Sequence, residues 1–414
     1  MAQVKIPRTI VGIVREASRL LADPPLAIWT LFVFMIPFYV FNSGLPQPGD
    51  VLVLPLVAVT LWTWKGRLDR RARRPFMSLV IFTLWVIAVD WGWALLLGNF
   101  GLFGPSTFLL FPVYYIYNAF VFLVVCVLYQ RYGTRFLWLT LHIVLFTVIV
   151  QALATLVVHR AGHGPRGSGF FNNPNQLGFF ALVMASVLAL GKRNLGFGAI
   201  KSGLGITTCF YLALVSASRA AVIGCALLFA FSILSNPRRI LVVGLIGLGL
   251  GALGGPIFEA LDRTHERLTN DHFSQLTFFE ERGYDRILNH KEYWALGAGE
   301  GGTDRFAETT KIGATEIHSS IGTLFFSYGV VGIVLFAVFL FRVARGAKFR
   351  QWIILLPALS YTIAHQGLRS TPVWILFAVF VCFKQMQAEQ RKHKLAARAA
   401  KVTPAPVAAL PEPA

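Results

Sequence analysis

His318 stands at a position in the sequence where a side chain could do acid–base chemistry. It ends a long polar segment and is followed by Ser319, Ser320 and then a run of apolar residues. An imidazole partly withdrawn from water at such a junction titrates near neutral pH and can accept a proton from a hydroxyl group. We therefore expect His318 to act as a general base. The alternative is a structural role, in which His318 only caps the helix that follows.

Arginines in the polar segments could bind an anion near the same boundary. Arg282 and Arg286 precede His318, whereas Arg160 and Arg219 come earlier in the chain. Guanidinium groups stay charged at any relevant pH and bind phosphate oxygens in pairs, so together they predict a basic cavity for a pyrophosphate-bearing lipid. For any single arginine, contact with lipid headgroups stays an alternative. Another alternative is pairing with a buried carboxylate.

Metal and nucleotide chemistry receive little support from the sequence. The polar segments contain no cysteine cluster and no Asp-x-Asp motif. The glycine-rich stretch 297–302 lacks the strand context and spacing of a phosphate-binding loop and is interpreted as a flexible turn. We therefore predict that the protein uses no metal and no cofactor.

The elements that must position these residues are membrane helices. Hydrophobic residues make up 56% of the 414-residue chain and occur in long runs, which excludes an ordinary soluble domain. Because a helix needs about 20 apolar residues to cross the hydrocarbon core, the runs predict an all-α integral membrane protein with about twelve spans. The predicted spans are 26–41, 51–64, 75–97, 106–129, 136–158, 177–191, 202–216, 220–235, 240–257, 319–341, 351–366 and 373–387.

The positive charges flank these spans mainly on one side. The chain carries 38 Lys and Arg and a net charge of +19, and most of these cations fall in the termini and in alternate loops. This is the asymmetry of cytoplasmic loops, and an even number of spans satisfies it with both termini in the cytoplasm. Nucleic-acid binding by the cluster at 65–74 or by the C-terminal tail is the rejected alternative, because charges that flank a membrane need no further cause.

The predicted topology divides the chain into five parts. They are a cytoplasmic N-terminus at 1–25, helices one to nine at 26–256, an outer loop at 257–318, helices ten to twelve at 319–387 and a cytoplasmic tail at 388–414. A long polar loop held against a helical scaffold is a common place for a functional site. We therefore expect the site to face outward, beside the loop between helices nine and ten.

Several of these elements together resemble the O-antigen ligase and O-antigen polymerase superfamily of bacterial inner-membrane glycosyltransferases. The resemblance rests on Phe-Asn-Asn-Pro-Asn at 171–175, Ser-Ala-Ser-Arg-Ala at 216–220, the block 282–301 and then His318, in the family's order. It covers the C-terminal part of the chain, and the first five spans match only in general character. Ser319 follows the histidine where many members have Asn.

The resemblance implies a metal-independent, inverting transfer of a glycan from undecaprenyl pyrophosphate to an acceptor sugar hydroxyl. The reaction would take place on the periplasmic face of the bacterial inner membrane. In the ligase branch, which we favour, the acceptor is lipid A-core oligosaccharide; in the polymerase branch it is another lipid-linked repeat unit. The resemblance further implies that His318 is the base and that Arg219, Arg282 and Arg286 hold the pyrophosphate, while Arg160 joins them only through the basic-cavity argument. A transporter of the same lipid is a second alternative.

Overall fold

Helices form every regular element in the part of the chain that the structure describes. The structure is a computed structural model that describes residues 10–42, 45–101, 107–157, 166–191, 195–235, 261–262, 265, 277–311, 313 and 315–402. The helices are α1 (Ile10–Leu21), α2 (Pro24–Met35), α3 (Pro48–Val51), α4 (Val53–Trp62), α5 (Arg70–Leu97), α6 (Phe111–Tyr132), α7 (Thr134–Val157), α8 (Pro174–Ala189), α9 (Ala199–Ser216), α10 (Arg219–Ser235), α11 (Phe278–Glu281), α12 (Tyr284–Asn289), α13 (Ser320–Ala344), α14 (Phe349–Ala364) and α15 (Thr371–Val402). Two short 3-10 segments, Lys291–Tyr293 and Thr303–Phe306, lie in the loop before α13.

Six of the described helices are long and apolar enough to cross a membrane. They are α5, α6, α7, α9, α13 and the part of α15 at Thr371–Ala397, and shorter apolar helices occur at Pro24–Met35, Pro48–Trp62, Pro174–Ala189 and Arg219–Ser232. The predicted span 240–257 lies outside the described residues, and each of the other eleven predicted spans overlaps a helix. The all-helical, membrane-type architecture is therefore confirmed, while the number of spans stays a prediction.

Local sequence signals account for where several helices begin and end. The side chain of Asn173 accepts a hydrogen bond from the amide of Asn175, and Pro174 takes the first position of α8, where a missing amide hydrogen costs nothing. Helix α9 ends at Ser216, because Ala217 adopts a left-handed conformation (φ +46°) before α10 begins. The separation of the predicted spans 202–216 and 220–235 is therefore confirmed.

Helices α8 and α15 form the centre of the bundle. Every residue of α15 from 373 to 383 is at most 2% exposed, and α8 is buried on all sides from Leu177 to Leu188. Because these segments are buried on every side, other helices must surround them. Helices α6 and α8 pack on α15, and α9, α10 and α14 pack on α8.

Helix α13 is interrupted near its middle, and the glycine-rich turn of the loop packs into the interruption. Gly329 is non-helical (φ +66°, ψ −170°), and the carbonyls of Phe326 and Ser327 accept hydrogen bonds from the amides of Ala298 and Gly299, both at 2.9 Å. A Cβ at Gly329 would lie only 2.2 Å from the Ala295 oxygen, so only glycine fits this approach. The stretch interpreted as a flexible turn is therefore a buried part of the structure.

Candidate functional site

The backbone that carries His318 is held by hydrogen bonds from two other segments. The amide of His318 donates to the carbonyl of Arg282 at 3.0 Å, and the amide of Ser320 donates to the carbonyl of His365 at 3.1 Å. The hydroxyl of Ser319 accepts from the amide of Gly322 at 3.0 Å and so caps α13. Because Ser319 fills the capping role, the imidazole of His318 is not needed for it.

The surroundings of His318 favour its neutral form. The residue is exposed, yet partial burial of the ring lowers the pKa of His318 below its ordinary value of 6.5, and the Arg282 cation lowers it further. The carboxylates of Glu316 and Glu281 act in the opposite direction and are outweighed. A neutral imidazole at neutral pH is the form that can accept a proton.

Tyr284 ties the loop to the start of α13 and the end of α14. Its hydroxyl lies 2.7 Å from the Ser319 hydroxyl and donates to the carbonyl of Ile363 at 2.8 Å. Arg282, two residues earlier, lies in the short turn that joins α11 to α12, and Tyr284 is the first residue of α12. This arrangement fixes the main chain of Arg282 next to the main chain of His318.

Arg166 contacts both of the sequence motifs at 171–175 and 216–220. Its Nε donates to the carbonyl of Ser216 at 2.9 Å, and its Nη2 donates to the Oδ1 of Asn175 at 2.7 Å. A Cβ at Gly178, in the first turns of α8, would lie 2.7 Å from the Ser216 hydroxyl, so these helices approach each other closely here. The motifs at 171–175 and 216–220 are therefore brought together in space.

Tyr361 joins this corner to the His318 segment. Its hydroxyl donates to the carbonyl of Asn175 at 3.0 Å, and its ring stacks on His365 at a centroid distance of 4.5 Å. The charges of Arg166 and Arg282 both act on the Tyr361 hydroxyl. Sequence reasoning did not find Tyr361 or His365, because neither belongs to a motif and only the fold of α14 brings them here.

The predicted pyrophosphate ligands are placed in different surroundings. Arg219 is the exposed first residue of α10, three positions after Ser216, and Arg282 lies beside the His318 segment. Arg286 is instead buried at 1% exposure, and its Nη2 donates to the carbonyls of Gly313 and Thr315 at 2.8 and 2.7 Å. Arg160 lies outside the described residues. Arg166 and Arg282 thus both lie near Tyr361, whereas Arg219 is related to them only by its place close to Ser216 in the chain, and Arg286 lies inside the loop.

A second polar cluster holds the loop against the helices. Arg369 pairs with Glu300 through Nε at 2.8 Å and through Nη2, and with Glu316 through Nη1 at 2.6 Å. Glu300 is 3% exposed, and its amide donates to the Oδ1 of Asp90 in α5 at 2.6 Å. The hydroxyl of Tyr328 lies within hydrogen-bonding distance of both the Asp90 and the Glu300 carboxyl groups. Pairing with a buried carboxylate, left open for such arginines, is therefore the role of Arg369.

The described residues contain no group of three or more His, Cys, Asp or Glu side chains that could hold a metal ion. Comparison with protein-family models and with curated proteins finds no match for this chain. The function must therefore be inferred from the chemistry of the groups around His318.

Proposed function

We propose that the protein is an O-antigen ligase, a glycosyltransferase that moves a glycan from undecaprenyl pyrophosphate to a lipid A-core hydroxyl at the periplasmic face of the bacterial inner membrane. The observation that supports this proposal best is the meeting of separate sequence motifs around one histidine. The main chain of Arg282 borders that of His318 directly. Tyr361 bonds to Asn175, which Arg166 also contacts, and stacks on His365, whose carbonyl accepts from Ser320. A neutral imidazole beside the Arg282 cation suits a reaction with a hydroxyl nucleophile and an anionic leaving group.

In the proposed mechanism, His318 accepts the proton of the acceptor hydroxyl as its oxygen attacks the anomeric carbon of the donor sugar. The bond from that carbon to the pyrophosphate oxygen breaks, and undecaprenyl pyrophosphate leaves with the bonding electrons. Arg219 and Arg282 stabilise the charge that develops on the leaving group. A single displacement inverts the configuration at the anomeric carbon. No step in this mechanism requires a metal ion.

A lipid-linked glycan transporter is the second candidate, and one observation favours it. Helix α13 is discontinuous at Gly329, beside the buried carboxyl groups of Asp90 and Glu300. Broken helices with buried ionisable groups are typical of transporters. Here, however, the amides of Ala298 and Gly299 donate hydrogen bonds to the carbonyls at the break, so these carbonyls already have partners.

A polymerase, the other alternative, would use the same donor and the same base as the ligase.

A reconstitution experiment distinguishes these functions. Purified protein in vesicles is offered lipid-linked glycan together with lipid A-core, with a second portion of lipid-linked glycan, or with no acceptor. A single covalent transfer to lipid A-core supports the ligase, and a ladder of longer lipid-linked glycans identifies a polymerase. Movement of the intact donor across the bilayer without any covalent product would contradict the transferase proposal and identify a transporter.

The twelve-span topology with a periplasmic loop predicts opposite labelling at two exposed positions. A membrane-impermeant maleimide is expected to react with Glu308→Cys in intact cells, and with Ala396→Cys only after lysis, because the charge asymmetry places the loop outside and the tail inside. The four native cysteines are buried, so background labelling stays low. Labelling of Ala396→Cys in intact cells would show that the orientation is wrong.

The pH dependence of transfer tests whether His318 is the base. The rate is expected to fall as pH drops through the pKa of His318, which lies below 6.5, because the protonated ring cannot accept another proton. Arg282→Gln removes a neighbouring cation, so it should raise this pKa and move the acidic limb of the profile to higher pH. Glu281→Gln removes an anion and should move the limb to lower pH. Both shifts are independent of any loss in maximal rate.

If neither substitution moves the acidic limb, a group other than His318 controls the reaction. A limb that moves in the same direction in both variants would contradict the electrostatic assignment, since the two side chains carry opposite charges. Initial rates measured at saturating donor and acceptor separate these shifts from changes in binding.

A further inference from the structure

Helix α1 precedes the first apolar helix and has two distinct faces. In a helix of 3.6 residues per turn, Val11, Val14 and Leu21 fall on one side of its apolar face, and Ile13 and Leu20 fall on the other side. Leu20 is 6% exposed and belongs to the hydrophobic core, against which Ile13 is packed. Half of the apolar face is therefore used for contact with the bundle.

Three other apolar side chains of α1 point away from the protein. Val11, Val14 and Leu21 are 78%, 59% and 40% exposed. Their combined surface is far smaller than the roughly 800 Å² per partner that a stable protein interface buries. A second copy of the chain is therefore a poor occupant for this face.

The charges on α1 favour an anionic surface. Arg15 and Arg19 are exposed beside the outward apolar residues. Glu16, the acidic residue of the helix, pairs with Arg135 at the start of α7 at 3.1 Å, so its charge is compensated inside the protein. The outward side of α1 is left cationic, which suits phosphate groups.

The connection to α2 sets the depth of α1. Helix α1 ends at Leu21, and α2 begins at Pro24, where Asp23 adopts an extended conformation and the successive prolines Pro24 and Pro25 prevent one continuous helix. Because α2 is an apolar helix, its first residues lie at the boundary of the hydrocarbon core. Two intervening residues cannot carry α1 far from that boundary.

We propose that α1 is an interfacial helix that lies in the headgroup region of an anionic leaflet. Val11, Val14 and Leu21 enter the leaflet, and Arg15 and Arg19 contact lipid phosphates. This combination of an apolar stripe and flanking cations is the pattern by which amphipathic helices bind anionic bilayers. The inference does not depend on the proposed transfer reaction.

Lipid quenching in the full-length protein tests this inference. Val14→Cys, labelled with an environment-sensitive fluorophore, is reconstituted into vesicles of phosphatidylcholine and phosphatidylglycerol that contain a lipid with a shallow spin label. The control is Gly12→Cys, which lies two residues away and about 200° around the same helix. Quenching is expected to be severalfold stronger at position 14, and aqueous iodide is expected to quench mainly at position 12.

Two results would overturn the inference. Equal quenching by the spin-labelled lipid at both positions means that the helix does not present Val14 to the leaflet. Shielding of position 14 from both iodide and the lipid means that a protein surface covers it.

The anionic preference is tested with the spin label placed on phosphatidylglycerol alone. The double variant Arg15→Gln with Arg19→Gln should then reduce quenching at position 14 at least twofold. Arg350→Gln, an exposed arginine in the first turn of α14, is the matched control and should leave quenching unchanged. Equal quenching in the double variant and in the unmodified helix would show that the two arginines do not recruit anionic lipid.

Discussion

Replacing His318 with alanine is expected to lower the rate of glycan transfer by about 10² to 10⁴, the usual contribution of a general base. Binding of the lipid-linked donor should remain, because the proposed ligands of its pyrophosphate are Arg219 and Arg282 rather than the imidazole. Initial rates in reconstituted vesicles, together with a donor-binding assay on the same preparation, measure both quantities. Loss of donor binding would show that His318 has another role.

His318→Asn separates catalysis from structure. Ser319 caps α13 through its hydroxyl, so a side chain at 318 that forms hydrogen bonds but takes no proton should leave the fold intact. We expect this variant to be as slow as His318→Ala. Turnover above about a tenth of that of the unmodified protein, at equal protein in the membrane, would contradict general-base catalysis of the usual size.

His290→Asn is the matched control for His318→Asn. The ring nitrogens of His290 lie 2.9 Å from Glu292 and 2.7 Å from Thr309, within the loop, and the proposed mechanism gives this residue no role. Transfer by this variant should stay within about twofold of that of the unmodified protein, an activation free-energy change of about 0.4 kcal/mol. A loss as large as that of His318→Asn would mean that loop histidines in general support the structure.

Arg369→Gln is expected to destabilise the protein by about 3–5 kcal/mol, the typical effect of removing one partner from a buried ion pair. Glu300, at 3% exposure, would lose the guanidinium that it contacts through two nitrogens. Thermal unfolding in detergent measures the change. Because Glu300 also connects the loop to α5, resistance of the loop to proteolysis should fall with the stability.

Asp90→Asn is the conservative variant for the same cluster. Tyr328 has one hydroxyl proton but lies 3.1 Å from Asp90 Oδ2 and 2.7 Å from Glu300 Oε2. It can donate to only one carboxyl group, so the other must supply a proton of its own. Glu300 already accepts hydrogen bonds from Arg369, so we assign the additional proton to Asp90.

An asparagine at position 90 reproduces this pattern, because its oxygen can accept from the Glu300 amide and its NH₂ group can donate to Tyr328. Asp90→Asn should therefore change stability by less than about 1 kcal/mol, while Asp90→Ala leaves the buried amide of Glu300 without a partner and should cost about 1–3 kcal/mol. If Asp90→Asn is as damaging as Arg369→Gln, then Asp90 is ionised and the proton assignment is wrong.

The buried cluster also bears on the geometry of the candidate site. Glu300 and Glu316 both contact Arg369, and His318 lies only two residues after Glu316 in the chain. A change that releases Glu316 should let this segment move. Part of any loss of transfer in Arg369→Gln is therefore expected to come from displacement of His318 rather than from lost charge.

The amino-acid sequence by itself determined the helical class, most helix positions and the location of His318 at the junction between the loop and α13. Apolar runs identify membrane-type helices, because burial in hydrocarbon imposes length and composition on each helix separately. Caps are similarly local: Asn173 and Ser319 bond to amides two or three residues away. The amphipathic α1, within the predicted N-terminal segment, went unnoticed because its apolar run is too short to count as a span.

Only the tertiary structure decided which polar groups meet. Arg282 and Arg286 look alike in the sequence, yet one adjoins His318 and the other is buried against the carbonyls of Gly313 and Thr315. Likewise, no periodic pattern indicates that the amide of Glu300 reaches Asp90, 210 positions earlier. Such contacts depend on how the helices pack and on which groups lie within hydrogen-bonding distance of the loop amides. The composition of the chain and the spacing of its residues do not specify these pairings.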